Sequence, residues 1–429
     1  MPAITRHQLP NGLSIILKEQ HSAPVVSWWM LYRIGSRNER TGQTGLSHWV
    51  EHMMFKGTPQ FPGGVLDKMI SREGGSWNAQ TSMDYTAYYE TMPADRIDLG
   101  LRLEADRMVN AIFDPEEVES ERTVIISERE GSENSPMFWL DEEVRASMFR
   151  VHGYHHEIIG DMADLHTITR DDLYNHYRQF YRPNNAVAVA VGDFDTVSML
   201  RRIEELYGGI PAGDPVTHFN RPEPEQFGER RVTVERPGAT AFLEMAYRVP
   251  PAKHPDWFAM AMLNAILTGA GGAIDNKTSR LYRAIVESGL GVDVDGGLTP
   301  SIDPYLYDLI VTLREGTTHE QIESVLDEQL EQVAVAGVTT HELERARKQA
   351  RAIFAYSTER VTGQASWLTI AETVADYTWF ENYIERLSAV TAEDVQRAAQ
   401  TYLRPQNRTV GWLIPTGGDD VEYDEDDAE

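Results

Sequence analysis

The feature that most constrains the fold is an internal repeat, found once near the middle of the chain and once near its end. Residues 169–185 begin with Thr and an acidic pair and finish in Arg-Pro-Asn-Asn, and residues 391–407 follow the same plan and finish in Arg-Pro-Gln-Asn. In both copies 14 positions separate the Thr from the Pro, an alternating strand follows, and the copies lie 222 residues apart. A period this long predicts a duplicated domain.

The length of the chain agrees with two domains. A chain of 429 residues is too long for one ordinary core, and two domains of roughly 200 residues are expected. Residues 208–228 are rich in Gly and Pro, which is typical of a linker. We therefore predict a first domain over residues 1–207, a linker over 208–228 and a second domain over 229–415. Residues 416–429 are strongly acidic and are predicted to form a disordered tail.

Composition excludes several classes of function. The net charge is −28, from 67 acidic and 39 basic residues, which argues against nucleic acid as a partner because phosphates would be repelled. Cysteine is absent, so disulfides and thiolate metal ligands are excluded. There is no apolar run of about 18 residues and no basic segment before an apolar stretch. We therefore expect no membrane span, no leader and a cytoplasmic location.

One short helix carries a metal-binding pattern. Its apolar residues recur at helical spacing and predict a face packed on a core: Leu46, Trp49, Val50, Met53 and Met54. His48 and His52 lie on the opposite face at i and i+4, the spacing at which two imidazoles can bind one Zn²⁺ from a single helix. Glu51 lies between them in the order H-x-x-E-H, which favours a general base over a ligand.

A catalytic zinc needs a third protein ligand, and the sequence offers several candidates. A helix is predicted to begin after Asp114, where an Asp cap is followed by Pro and two Glu. Glu121 and Glu128 lie two turns apart on this helix and therefore share a face. From this pattern alone Glu128 is one candidate for the third ligand, and Glu90, Glu104 and Glu121 remain alternatives.

Other segments give a coarse order of elements. Residues 13–17 and 25–33 are predicted to form a hairpin-like pair of strands after the Asn11-Gly12 turn. Residues 76–90 are rich in β-branched and aromatic residues and are predicted to form a strand. A helix is predicted over residues 94–110, ahead of the one that begins after Asp114.

Taken together, these motifs resemble a known family of peptidases. The chain is similar to the M16 peptidases, the pitrilysin and mitochondrial-processing-peptidase superfamily, which are also called inverzincins. The resemblance covers nearly the whole chain and rests on these motifs: Asn11-Gly12-Leu13, Gly35-Ser36-Arg37-Asn38-Glu39, the stretch 45–58, Asn78-Ala79-x-Thr81, Glu121-Arg122 with Glu128, and both Arg-Pro-x-Asn repeats.

The resemblance implies one Zn²⁺ per chain, with His48, His52 and Glu128 as ligands and Glu121 supporting a ligand. It also implies the LuxS/MPP-like metallohydrolase fold, an α+β class with two homologous domains, each a mostly antiparallel sheet covered by helices. Family members of this length pair, so that four domains enclose a chamber. The resemblance further implies that peptide substrates add as a strand near Asn78 and Ala79.

The second half departs from the family pattern. Active members carry an Arg and, two helical turns later, a Tyr that hold the substrate carbonyl and the oxyanion. Alignment on Gly289-Leu290 places Ile285 and Val292 at those positions, and the offset of 222 residues places Ala270 opposite His48. We therefore predict an M16B-like, zinc-bearing subunit that pairs with a homologous chain carrying the Arg and Tyr, or otherwise with itself.

Two other functions are known alternatives for a fold of this kind. The first is a non-catalytic structural subunit of the same fold, and the complete zinc motif argues against it. The second is a metal-dependent lyase of the related fold, and the two-domain length argues against that. Co²⁺ or Mn²⁺ would also suit a His, His and Glu ligand set.

Overall fold

The computed structural model of the chain describes residues 4–217, 221–271 and 277–417. Most of the predicted acidic tail, part of the predicted linker and part of the glycine-rich segment around residue 272 lie outside the described residues.

The first half is built on a six-stranded sheet. Its strands are β1 (Ile4–Gln8), β2 (Ser14–Glu19), β3 (Val25–Tyr32), β4 (Ser76–Thr81), β5 (Thr86–Pro93) and β6 (Ala186–Gly192). Its helices are α1 (Leu46–Met53), α2 (Leu66–Arg72), α3 (Asp98–Asn110), α4 (Pro115–Glu133), α5 (Pro136–Met148), α6 (Met162–Thr167), α7 (Arg170–Phe180) and α8 (Thr196–Tyr207). The strand order is β1-β2-β6-β3-β5-β4, and only β2 and β6 pair in parallel.

The second half is built on a five-stranded sheet. Its strands are β7 (Arg230–Arg236), β8 (Phe242–Val249), β9 (Gly291–Leu298), β10 (Tyr305–Leu313) and β11 (Arg408–Pro415). Its helices are α9 (Trp257–Leu267), α10 (His319–Ala336), α11 (Thr340–Ser357), α12 (Val361–Val374), α13 (Tyr377–Glu381), α14 (Tyr383–Ala389) and α15 (Ala392–Tyr402). The strand order is β7-β11-β8-β10-β9, and only β7 and β11 pair in parallel.

The two sheets share one topology, and this confirms the predicted α+β class and duplication. Strands β2, β6, β3, β5 and β4 of the first sheet correspond in order and direction to β7, β11, β8, β10 and β9 of the second. The repeated Thr-x-x-Asp segments begin α7 and α15 with the same capping box, in which Thr169 pairs with Asp172 and Thr391 with Asp394. The domain boundaries given above stay a prediction.

The halves exchange a helix, which the sequence did not predict. Helix α5 of the first half packs on β7, β8 and β11 of the second sheet, and α12 of the second half packs on β3 and β6 of the first. Gly411 in β11 permits the close approach of α5, because a Cβ there would lie 2.4 Å from Val144 and 2.8 Å from Leu140. One cluster of buried apolar residues therefore contains side chains of both halves, and a second cluster lies in the first half.

Two local predictions were wrong. Strands β2 and β3 do not pair, because β6 lies between them and pairs with both. The single strand predicted over residues 76–90 is a hairpin of β4 and β5, because the Ser82 hydroxyl accepts the N–H groups of Asp84 and Tyr85 and turns the chain. None of the described helices is long and apolar enough to cross a membrane.

Candidate active site

The geometry of the site begins with the orientation of α1. Its buried face presents Leu46, Trp49, Val50 and Met53 to the core, as its apolar spacing predicts. The guanidinium of Arg122 on α4 lies 4.7 Å from the Trp49 ring and donates to the carbonyls of residues 165 and 168. These contacts fix α1 against α4.

The opposite face of α1 meets α4 at the predicted metal ligands. The Nε2 atoms of His48 and His52 lie 3.9 and 3.7 Å from one carboxylate oxygen of Glu128. One ligand atom from each of the three side chains lies within 4.8 Å of the others. The side chains of His48 and His52 are 14% and 22% exposed, whereas that of Glu128 is 49% exposed. The group is therefore open to solvent on the side of α4.

Glu121 supports His52 from behind. Its carboxylate lies 2.8 Å from His52 Nδ1 and also pairs with the ammonium group of Lys56. The hydrogen bond with His52 lowers the pKa of Glu121 to about 2, with Lys56 adding to the effect against the cost of burial. An ionised Glu121 accepts a hydrogen bond from the Nδ1–H group of His52. This tautomer leaves the lone pair of Nε2 on the side of Glu128.

Glu51 joins the same group to strand β4. The Thr81 hydroxyl donates to the Glu51 carboxylate at 2.5 Å. Burial raises the pKa of Glu51, although the hydrogen bond from Thr81 and the charge of His52 oppose the shift. A carboxyl group with a raised pKa beside two imidazoles is suited to take up and release a proton.

A cavity of about 710 Å³ opens beside these groups. It is lined by Glu51, His52, Phe55, Lys56, Gly63, Gly64, Asn78, Glu117 and Glu121. Strand β4 forms one wall, and β5 is its only partner among the described strands, so the outer edge of β4 is free. The N–H of Ala79 donates to the Asn78 side chain at 2.9 Å. Asn78 and Ala79 thus lie at the open edge beside the cavity.

Two of the three rival third ligands, Glu90 and Glu104, lie away from the site. Glu90 and Glu104 are fully buried in the core beside Arg107, whose guanidinium also lies 4.8 Å from the Tyr88 ring. Burial and the neighbouring Glu104 raise the pKa of Glu90 well above its usual value, and both side chains lie away from solvent. The sequence pattern does not predict Lys56 and Thr81 as site residues, although Lys56 lies one helical turn after His52 and Thr81 belongs to the Asn-Ala-x-Thr motif.

The second half presents no comparable group. The counterpart of α1 by topology is α9, whose residues are almost all apolar and buried, whereas Ala270 follows the end of that helix. Within the described residues, no second group of His, Asp and Glu side chains is close enough to hold a metal ion. Ile285 is buried in a π-helical turn and Val292 is 59% exposed, and neither side chain can donate a hydrogen bond.

Comparisons with known proteins agree with this arrangement. The zinc protease PqqE of Helicobacter pylori is 26% identical over 415 residues, which are 95% of this chain and 92% of that protein. The zinc protease YmxG of Bacillus subtilis, itself uncharacterised, is 25% identical over 422 residues, or 96% and 99% of the two chains. The crystal structure of a protease from Helicobacter pylori superposes with a TM-score of 0.92 at 26% identity, over 97% of this chain and all of that one.

Two models of one peptidase family match successive parts of the chain. The model described as insulinase, peptidase family M16, matches residues 14–162, which include His48, Glu51, His52 and Glu128. The model described as the peptidase M16 inactive domain matches residues 167–350. This division agrees with a metal-binding group in the first half alone. The chain belongs to the M16 (insulinase) family of zinc proteases.

Proposed function

We propose that the chain is an endopeptidase that hydrolyses extended peptides with one zinc ion held by His48, His52 and Glu128. The observation that carries this proposal is the convergence of these three side chains, from two helices, beside Glu51 and a free strand edge. No other group among the described residues offers both a metal site and a general base.

The donor set fits zinc. Burial lowers the pKa of His48 to about 4, so its imidazole is neutral and has a free lone pair. Zinc bonds of about 2.0–2.2 Å place tetrahedral ligand atoms about 3.3 Å apart, and the two Nε2 atoms lie 3.9 and 3.7 Å from Glu128. Shifts of about half an ångström would bring these groups to ligand spacing. Three protein ligands leave the fourth position open for chemistry.

The roles of the remaining residues follow from their contacts. Zinc, when bound, supplies a Lewis acid that polarises the scissile carbonyl and lowers the pKa of water. Glu51 removes a proton from the attacking water and delivers it to the leaving amine. Thr81 holds the Glu51 carboxylate against β4, and Glu121 holds the tautomer and orientation of His52.

The edge of β4 is the proposed binding surface for the substrate. An extended peptide that pairs with β4 near Asn78 and Ala79 would replace the contact between the Ala79 N–H and the Asn78 side chain. Thr81 lies on the same strand and contacts Glu51. A peptide on this edge would therefore run past the general base.

The two positions of the second half that align with the family's Arg and Tyr supply no donor for the developing oxyanion. Ile285 and Val292 occupy the aligned positions of the Arg and Tyr, and the nearby Arg280 is bound to Glu342 at 2.6 and 2.9 Å. We therefore propose that a second, homologous chain supplies this pair and closes the chamber. A homodimer is the alternative arrangement.

The test is the cleavage of an internally quenched, unstructured peptide by the purified chain, with its mass in solution measured alongside. Zinc-dependent, chelator-sensitive cleavage that needs a homologous second chain is expected. Robust cleavage by the chain alone would contradict the two-chain arrangement. Zinc binding without cleavage in any pairing would favour the structural subunit.

A further inference from the structure

Helix α1 begins without a side-chain cap of its own. Gly45 occupies the cap position with a φ of 90°, a conformation that favours glycine. A Cβ at this position would lie 2.4 Å from the carbonyl oxygen of Ile159. The usual capping residues Ser, Thr, Asp and Asn are therefore excluded, and the first N–H groups of α1 must find partners elsewhere.

Glu39 provides those partners from six residues upstream. One carboxylate oxygen accepts the N–H of Gly45 at 2.7 Å, and the other accepts the N–H of Ser47 at 2.6 Å. Glu39 is 5% exposed, so both bonds form away from solvent. Burial raises the pKa of Glu39 to about 7, whereas the hydrogen bonds from Ser47 and Gly45 oppose this shift, and the positive end of the helix dipole favours the carboxylate. Ser47 directly precedes His48, so this carboxylate holds the first turn that carries a metal ligand.

The same segment also holds the edge strand. The N–H of Ser36 donates to the Ser82 carbonyl at 3.3 Å, and that of Arg37 donates to the Met83 carbonyl at 3.1 Å. Gly35 lies so close to this turn that a Cβ would approach the Ser82 carbonyl to 2.4 Å. Residues 35–39 therefore touch the start of α1 through Glu39 and the turn after β4 through their backbone.

Helix α1 and strand β4 are also joined directly at the site. Glu51 on α1 and Thr81 on β4 are joined by a hydrogen bond of 2.5 Å. A shift of α1 along its axis would move His48, Glu51 and His52 together, relative to Glu128 on α4 and to β4. The position of α1 therefore sets both the spacing of the metal ligands and the distance from the base to the substrate strand.

We propose that Glu39 is a positioning residue for zinc binding and proteolysis, acting through the N-terminus of α1. This inference rests on the proposed function, because it assigns Glu39 to the same site. It also assigns a role to part of the Gly-Ser-Arg-Asn-Glu motif that the metal group leaves unexplained. Because β4 is attached to the segment through backbone groups, loss of the Glu39 carboxylate should leave substrate binding in place.

The test variant is Glu39→Gln, with Glu223→Gln as the matched control. A glutamine oxygen can accept one of the two N–H groups, and the amide leaves the other unbonded. Glu223 also accepts backbone N–H groups, those of residues 150–152 at 2.9, 2.9 and 3.0 Å, but it holds no part of α1. Zinc affinity, kcat and KM are measured well below the melting temperature of each variant, with kcat taken at saturating zinc.

For Glu39→Gln we expect about tenfold weaker zinc binding and a kcat lowered by about 10–100-fold with KM within about twofold. Glu223→Gln should match the wild type in all three. If Glu39→Gln does not fold, Glu39→Asp is used, since its shorter side chain cannot reach both N–H groups and should show the same pattern.

Unchanged zinc affinity and kcat in the folded variant would overturn the inference. So would an equal loss in Glu223→Gln, or a loss confined to KM. If the wild type cleaves no peptide either alone or with a homologous second chain, the proposed function fails separately, and the zinc affinity of Glu39→Gln still decides whether Glu39 positions α1.

Discussion

The two halves of the molecule place different chemistry on one topology. In the first half α1 presents His48, Glu51 and His52 toward α4, and a solvent-open cavity lies beside them. In the second half α9 follows the corresponding strand but buries nearly all its residues. Helix α11 corresponds to α4, because each directly precedes an exchanged helix, α12 or α5. Helix α11 contributes Ala350 and Ile353 to a small cavity of about 110 Å³ beside α9.

This difference shows which residues the fold itself requires. The second half closes its core with apolar and aromatic side chains at the position where the first half places imidazoles and carboxylates. Partly buried polar groups weaken a core unless they are paired, and the second half demonstrates that the topology does not need them. The polar groups of α1 are therefore explained by chemistry, and the following variants test that conclusion.

The largest effect is expected for Glu51→Gln. The amide cannot take a proton from water, so kcat should fall by about 10³-fold or more while zinc remains bound. Turnover of a quenched peptide and metal content are measured on the same sample. Glu117→Gln changes a carboxylate of the same cavity that pairs with Lys56 at 3.4 Å, and its kcat should stay within about threefold. Comparable losses in both variants would refute the assigned role.

A smaller effect is expected for Glu121→Gln. The change removes the charge that holds the His52 Nδ1 proton and pairs with Lys56, so zinc should bind about 10–100-fold more weakly. Competition with a chromogenic chelator measures this. Glu119→Gln, on the exposed side of the same helix where it pairs with Arg122, should leave zinc affinity within about twofold. Unaltered affinity in Glu121→Gln would show that His52 needs no support.

The second half contains a carboxyl group, that of Asp308, whose effect should be on stability alone. Burial, with Asp141 nearby, raises the pKa of Asp308 on β10 to about 7. The folded state therefore binds this proton more tightly than the unfolded state, so the free energy of unfolding should fall as the pH rises from about 4 to 7. Asp308→Asn should remove that part of the slope and stabilise the protein by roughly 2 kcal/mol at pH 8.

Denaturant unfolding at several pH values measures this effect, with Asp95→Asn as the control because that side chain is 76% exposed. Peptide cleavage by Asp308→Asn should match that of the wild type. A pH slope in the variant that equals that of the wild type would contradict the raised pKa of Asp308.

The smallest effect is expected at the cavity beside α9. Ala261 lines it together with Trp257, Asn264 and Phe354, and Ala261→Leu should fill part of the space and stabilise the protein by about 1 kcal/mol. Thermal unfolding measures the change, and kcat should remain within about twofold. A clear loss of cleavage would mean that the cavity takes part in catalysis and that the two halves differ less than described.

Local patterns account for what the sequence predicted correctly. The spacing of His48 and His52, the apolar stripe of α1 and the cap at Asp114 depend on residues within one or two helical turns, and the structure contains each of them. The choice of Glu128 over Glu90 and Glu104 needed the family resemblance, because helical spacing alone does not show which carboxylate faces α1.

The features that the sequence did not predict depend on contacts between distant segments. Strand β6 enters the sheet between β2 and β3 from more than 150 residues away, and its own apolar pattern does not specify its neighbours. The sequence likewise does not predict the exchange of α5 and α12, because the apolar face of each helix could pack on either sheet. The contact of Glu39 with α1 requires a left-handed Gly45, which only the packing against Ile159 reveals.

The most direct test of the difference between the halves is the anomalous scattering of crystals grown with zinc, recorded on both sides of the zinc absorption edge. The account predicts one strong peak per chain, bounded by the Nε2 atoms of His48 and His52 and the carboxylate of Glu128. A peak at α9, or none at the three first-half side chains, would contradict it.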